Sequence, residues 1–462
     1  MNLLFCNLKI PADLLISIVH TIVLSNQCRK AIILKSSVCL HTSPRSCGSL
    51  VILAHHPRNQ VQEETSDCQT EDMYLVFFPL VVLAFHLLSP TDSRIDSNHV
   101  SYLKPSYGPV PKYNSGKEVE TKSLDELYAD ALREGGRVIL YAGGDTPGQQ
   151  DYFKMLFENR FPGVKLDVIV DYSKFHNGRI ENQLANKNLI PDIIQLQTIQ
   201  DFPRWKKRGL LLKYKPRGWK SIYEGFKDPD GFYTGIYVIV FTNCANRHLL
   251  RSMDQVPRDA YNYLNPDLRN KITITYPNDD DAVLFYFKLI VDRYGWRYIE
   301  QLLQQNPIWV RGTQEPMDAI GANRTVVSPA VACPLVNSLD QPHYLALPRY
   351  DPFVTWPQTA AIFRNARRPA AAKLYLNWIT DAFTQQYYWP YWSVRRDVPP
   401  PAGYGTVFDY PSQTDPLAFG RWMSDREQVE LFRSQITLYI GEVQGKPSPG
   451  ILGIYPEKAL AH

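Results

Sequence analysis

The chain has 462 residues, 44% of them hydrophobic and 12% aromatic, enough for two or three globular domains with ample core. Its formal charge of +4 balances 50 basic against 46 acidic side chains with no basic tract, which argues against a nucleic-acid partner. Cysteine use divides the sequence at Met73: Cys6, Cys28, Cys39, Cys47 and Cys68 precede it, and only Cys244 and Cys333 follow.

Residues 1–72 mix an apolar patch around Leu14 to Leu24 with Ser, His and Cys in no steady period, and are expected to be an unfolded extension. Residues 73–93 read as a secretory signal: an apolar run from Tyr74 to Leu88, then a polar exit in which Thr91 and Ser93 suit a cleavage site. The missing Lys or Arg after Met73 departs from that pattern, and the competing reading is a membrane anchor, although the run is short for a span. Residues 94–122 form an extended leader rich in Pro, Ser and Tyr.

Ser123-Leu-Asp-Glu126 is a capping box, and Leu124, Leu127, Tyr128, Ala131 and Leu132 give the following helix an apolar face that Gly135-Gly136 terminates. The strand Val138-Ile-Leu-Tyr141 runs into Gly143-Gly144-Asp145-Thr146-Pro147. There Thr146 is placed to cap a helix, Pro147 to occupy its first position and Gln149 to complete a second capping box. A helix start at that point would leave free N–H groups at the carboxyl end of a strand, where open α/β sheets bind small molecules.

Further strands are expected over 164–170 and 192–196, with a helix over 178–185 between them, so the segment reads βαβαβ with a parallel sheet. His176 is expected on the loop after the second strand. The β-branched run from Phe232 to Phe241 is long enough to cross between two lobes. The second lobe has a strand over 272–275, helices over 280–294 and 296–305, and a strand over 325–330. A helix over 370–389 and a capped helix starting at Ser424-Asp-Arg-Glu427 complete the chain.

The order of these elements resembles the extracellular solute-binding proteins of the periplasmic-binding-protein type II fold, in the branch of ferric-iron, thiamine and polyamine binders. The resemblance covers about residues 137–399. It is carried by VILYAGG, PDIIQLQ, GFYTGIYVIVFTN, YNYLNPDLRNKITITYP and AAAKLYLNWITDAFTQQ in that order. It implies an α/β fold of two lobes, each a mainly parallel sheet flanked by helices, closing by a hinge on a small ligand. Lobe 1 would comprise residues 123–235 and 336–414, lobe 2 residues 236–335, and a helical tail residues 415–462.

Residue by residue, the resemblance points to Tyr141, Gly144, Asp145 and Thr146 from the first loop, and Gln197 and Thr198 after the third strand. Lobe 2 would add Asn278, Asp279 and Asp280, and the returning segments Ser328, Thr355 and Trp356. Each has a plainer alternative: Thr146 and Asp280 as helix caps, Tyr141 as core. Asp279-Asp280-Asp281 suits a helix N-terminus, and a carboxylate facing the cleft beside Trp356 or Tyr141 would suit an organic cation.

Ferric binders of this branch use a His, a Glu and adjacent tyrosines. Here Asp145 and Gln197 stand at the first two positions, residues 325–331 hold no tyrosine pair, and Tyr387-Tyr388 lies in an aromatic cluster of the packing kind. Cys244 and Cys333 are either one disulfide or two buried thiols, and Asn323-Arg324-Thr325 is an acceptor sequence for N-glycosylation. No nucleophile elbow, zinc helix or phosphate loop is present in the sequence.

The expectation is therefore a secreted, monomeric solute binder without catalysis or cofactor, needing no stable membrane insertion once its signal is removed. Its partner would be a small-molecule or ionic ligand, such as an organic cation. The alternatives are a ferric-iron binder, a secreted hydrolase with dispersed catalytic residues, and an interaction protein whose cleft is filled by its own side chains.

Overall fold

The computed structural model describes residues 119–250, 252–335, 341–447 and 452–457, with the pairs 16–17 and 39–40. The expected signal segment and nearly all of the extension and leader lie outside the described residues. Met1–Pro105 forms one unit, of which a two-residue antiparallel ladder, Ile16–Ser17 with Cys39–Leu40, is described. All that follows concerns the other unit, Ser106–His462.

The first helix, α1 (Leu124–Arg133), starts at the expected box: Ser123 caps Glu126 N and the Glu126 carboxylate returns to Ser123 N. Gly136, at φ +60°, turns the chain into β1 (Arg137–Gly143), and a Cβ there would lie 2.2 Å from the Gly163 carbonyl oxygen. Then come α2 (Asp151–Arg160), β2 (Lys165–Asp171), α3 (Ser173–Ala185), β3 (Ile193–Leu196) and α4 (Asp201–Lys207). β1 pairs in parallel with both β2 and β3, placing Tyr141 beside Ile169 and Ile194. Alternation along β1 builds a core on each face of this sheet. Val138 and Leu140 meet Phe157, Tyr375 and Trp378, while Ile139 and Tyr141 meet Ile180 and Trp205.

The β-branched run is β4 (Thr234–Asn246), a thirteen-residue strand whose two ends pair with different partners. Its second part accepts β7 (Val327–Val331) and β8 (His343–Ala346), and most of its length pairs with the returning β9 (Val354–Ile362), all antiparallel. β9 reaches β3 at its far end, so hydrogen bonding runs unbroken from lobe to lobe in the order β8-β4-β9-β3-β1-β2. Parallel pairing therefore holds within β1 to β3, and the crossing strands add the antiparallel part. A bulge at Gln358/Thr359 interrupts the β4–β9 register where the chain crosses, a device that bends a strand and redirects a side chain.

The second lobe continues with β5 (Thr273–Thr275), α5 (Asp281–Tyr294), α6 (Arg297–Gln304), β6 (Ile308–Val310) and α7 (Glu315–Gly321). β5 and β6 pair in parallel. Cys244, on β4, is disulfide-bonded to Cys333, beyond β7, with Cα atoms 6.4 Å apart.

The long helix expected over 370–389 is two: α8 (Pro369–Ile379) and α9 (Ala382–Tyr387). Thr380 turns its hydroxyl back on the Leu376 carbonyl, and Asp381 caps a fresh start at Phe383 N, 2.9 Å away. In the tail, α10 (Ala418–Ser424) precedes α11 (Arg426–Ile440), which is capped by Asp425 through Gln428 N, whereas Ser424 bonds back to Gly420. Both helices join the second-lobe core, with Phe419 and Trp422 against Phe285, and Phe432 and Tyr439 against Trp296.

Candidate functional site

β1 ends at Gly143, and its neighbour Gly144 serves by size: a Cβ on Gly143 would lie 2.2 Å from Ser173 Oγ, and one on Gly144 would lie 2.7 Å from Val170. Neither glycine has a positive φ. Nor does α2 begin at Pro147. Its first residue is Asp151, after turns over 147–150, and the Gln149 side chain folds back to accept from Asp145 N at 2.6 Å and from Thr146 N at 3.4 Å, the second being its half of the expected capping box. The free amides expected there are thus filled from within.

Asp145 consequently faces the second lobe. Its Oδ2 accepts from Thr313 N (2.9 Å), Thr313 Oγ1 (2.6 Å) and Gln314 N (3.2 Å), all on the turn between β6 and α7. Gly312, at φ +80°, lets this turn approach, and a Cβ there would press on Asp145 at 3.3 Å. Burial raises the Asp145 carboxyl above its usual range, against the pull of those donors.

Two more contacts cross the cleft beside it. Asp280 is the N-cap of α5, its Oδ1 accepting from Ala282 N and Val283 N at 2.9 Å, while Oδ2 accepts from Gln197 Nε2 of the first lobe at 3.1 Å. Burial, added to by the charges of Asp145 and Asp281 and opposed by the Val283 amide, pushes its pKa up to about 7. Asp279 takes Lys174 of α3 at 2.6 Å and a two-pronged bond from Arg311 at 2.8 and 2.9 Å. Burial works to raise Asp279 also, but Arg311 and Lys174 outweigh it and hold the group below the usual carboxylate range.

These contacts close the lobes around a cavity of about 90 Å³, lined by Gly144, Asp145, Gln197, Thr198, Asp279, Asp280 and Trp356 of the expected set. Tyr172, Ser173, Lys174, Thr313 and Gln358 join them. That is room for a few waters, well under the ~300–1,000 Å³ of a ligand pocket. The fully buried Trp356 forms part of the wall and donates its indole N–H to Gln358 at 3.1 Å, the residue at the bulge.

The remaining candidates lie elsewhere. Tyr141 is buried beneath α3, its hydroxyl donating to Glu457 and accepting from Gln183 at 3.0 Å each, and burial pushes its pKa upward. Thr146 is outside the cavity wall. Asn278 bonds Thr437 and the Gly441 carbonyl of the tail. Ser328 bonds the Pro329 carbonyl, and Thr355 pairs with Thr414. His176, expected on a rim loop, is fully buried inside α3 against the Ala142 carbonyl, and burial with the Arg179 charge drives its pKa down to about 3.

Sequence reasoning missed the 311–314 turn because it assigned neither β6 nor α7. The available signal was Ile308-Trp-Val310 followed by Gly312 and a Pro316 suited to a helix start. Lys174 was missed because Ser173 already begins the helix expected from Gly178.

No protein-family model matches the chain, and no curated protein matches it in sequence. Solved structures do. The substrate-binding protein of an ABC transporter from Agrobacterium tumefaciens superposes with a TM-score of 0.55 at 12% identity, covering 66% of this chain and 94% of that one. The fold is that of a two-lobed periplasmic binding protein. Iron-bound HitA from Pseudomonas aeruginosa (TM-score 0.50, 12% identity) covers 65% of this chain and 99% of its own. AfuA from Actinobacillus pleuropneumoniae with fructose-6-phosphate bound (0.50, 16%) covers 67% and 99%.

Proposed function

We propose that the protein is a secreted solute-binding protein whose lobes close on a small organic cation, without catalysis. The carrying observation is the pair of buried carboxylates, Asp145 from one lobe and Asp280 from the other, lining one cavity with their pKa values raised. A cation placed between them would replace the missing counter-charge, and Trp356 and Tyr172 supply aromatic wall. Asp279 is already neutralised by Lys174 and Arg311.

Among the fold neighbours, one is a substrate-binding protein of an ABC transporter, one a periplasmic binding protein with a sugar phosphate bound and one an iron-bound protein, which supports a binder over an enzyme. The donor set does not favour iron: Asp145 and Gln197 face the cavity, and among the described residues no cluster of three His, Cys, Asp or Glu side chains suits a metal. In this reading lobe 1 comprises residues 123–235 and 336–414, of which β8 reaches over to pair with the lobe-2 end of β4, lobe 2 comprises residues 236–335, and residues 73–93 are the export signal. The bridge between Cys244 and Cys333 supports an oxidising compartment. There Asn323 would carry an N-linked glycan, since it is exposed and only its Oδ1 is engaged, by Asn246 Nδ2 at 2.8 Å.

A thermal-shift screen of amines, thiamine, polyamines, metals and organic anions tests the function. A true ligand raises stability as RT ln(1 + [L]/Kd), about 2.7 kcal/mol at 100 Kd. Asp145→Ala and Asp280→Ala should each weaken that response in a folded protein. Failure of every compound, with no molecule released from the native protein in mass spectrometry, would favour the second reading: a clamp whose cleft is satisfied by its own Thr313 and Gln314. N-terminal sequencing of exported protein and the mass lost on Asn323→Gln test export and glycosylation.

A further inference from the structure

The tail touches both lobes. Its helical part belongs to the second: Arg433 of α11 pairs with Asp281 at 2.7 Å, Asn278 bonds the Gly441 carbonyl at 3.0 Å, and Arg311 donates to the Gly445 carbonyl at 3.0 Å. Arg311 is the same cation that grips Asp279 at the cavity wall. The last described stretch, residues 452–457, belongs to the first lobe. On α3, Arg179 Nε donates to the Gly453 carbonyl and Gln183 Nε2 to the Ile454 carbonyl, both at 2.7 Å, while Tyr141 donates to Glu457. Leu452 packs on the core of Ile139, Ile169 and Ile180.

These donors are not adventitious surface groups. Arg179 is 5% exposed and Gln183 fully buried, one helical turn apart on a single face. In the folded chain the Gly453 and Ile454 carbonyls satisfy these donors where they are buried, and a donor left buried without an acceptor is costly. The face of α3 is therefore shaped for this stretch of chain, and α3 also carries Lys174 to the cleft.

We infer that the C-terminal segment is an intramolecular latch: anchored on the second lobe by α11 and on the first by residues 452–457, it holds the clamp closed. Opening requires the 452–457 end to leave α3. This goes beyond the solute-binding reading, and it is tested through opening alone, with no ligand present.

The experiment follows hydrogen exchange at Thr313 and Gln314, whose amides bond Asp145 across the cleft, in the full chain and in Leu452→Asp. A second protein truncated after Pro447 keeps the Arg311–Gly445 bond. Release of the latch should speed exchange at these two amides at least tenfold while β1 and β9 stay protected. Unchanged exchange at Thr313 and Gln314 in the truncated protein overturns the latch. If truncation also strips protection from β1 and β9, the Leu452→Asp chain decides by the same readout: faster cleft exchange supports the latch, and unchanged exchange rejects it.

Discussion

Replacing Asp280 by Asn removes a charge from a closed cleft while keeping a competent helix cap. In the folded protein Asp280 titrates near 7, and its ordinary value is 3.8. Between those values the folded state holds a proton that the unfolded state has lost, so the stability contributed by this group is full below about pH 4 and falls as pH rises through 7. At 1.36 kcal/mol per pKa unit, the whole loss is about 4 kcal/mol by pH 8, of which about 3 falls between pH 5 and pH 8. Asn carries no such penalty, and the Gln197 amide can flip to accept from it. Urea unfolding at both pH values should show Asp280→Asn gaining about 3 kcal/mol on the parent at pH 8 relative to pH 5. An identical difference at the two pH values would refute the placement of a strained carboxylate in this cleft.

Other expectations follow from the same geometry. Thr313→Val strips the 2.6 Å hydroxyl bond from buried Asp145 and should cost about 1–3 kcal/mol in urea unfolding. Gly143→Ala drives a Cβ into Ser173 Oγ and should destabilise by about 1–3 kcal/mol, with Ser173→Ala relieving part of it in a double-mutant cycle. Converting Cys244 and Cys333 to Ser opens a loop with a sequence separation of 89, which by chain entropy costs about 4–5 kcal/mol, read as a lowered urea midpoint. If the ligand is a cation, its binding at pH 7 should expel a proton from Asp280, visible as a buffer-dependent enthalpy in calorimetry.

The fold was legible because its signals are periodic. Alternation in β1, the capping box at Ser123 and the unbroken apolar length of β4 each specify their element from neighbouring residues alone. Asp280 was legible as a cap for the same reason, and its place in the cleft came from the resemblance. Thr313 and Lys174 were not, since their role comes from the opposite lobe meeting them, and nothing local marks that. Tyr141 shows the converse. The resemblance implied a ligand contact for it, with core as the alternative, and strand alternation sends it to the buried face covered by α3, where the tail meets it. The Gln149 side chain satisfied the amides that a helix start was expected to leave open, a choice between two local hydrogen-bond schemes that the sequence does not settle.

The bridge between Cys244 and Cys333 has a topological effect on the second lobe. Residues 245–332 become a covalent ring, entered and left at one cross-linked neck on β4. A single protease cut in that ring produces no separate fragment until a reductant is added.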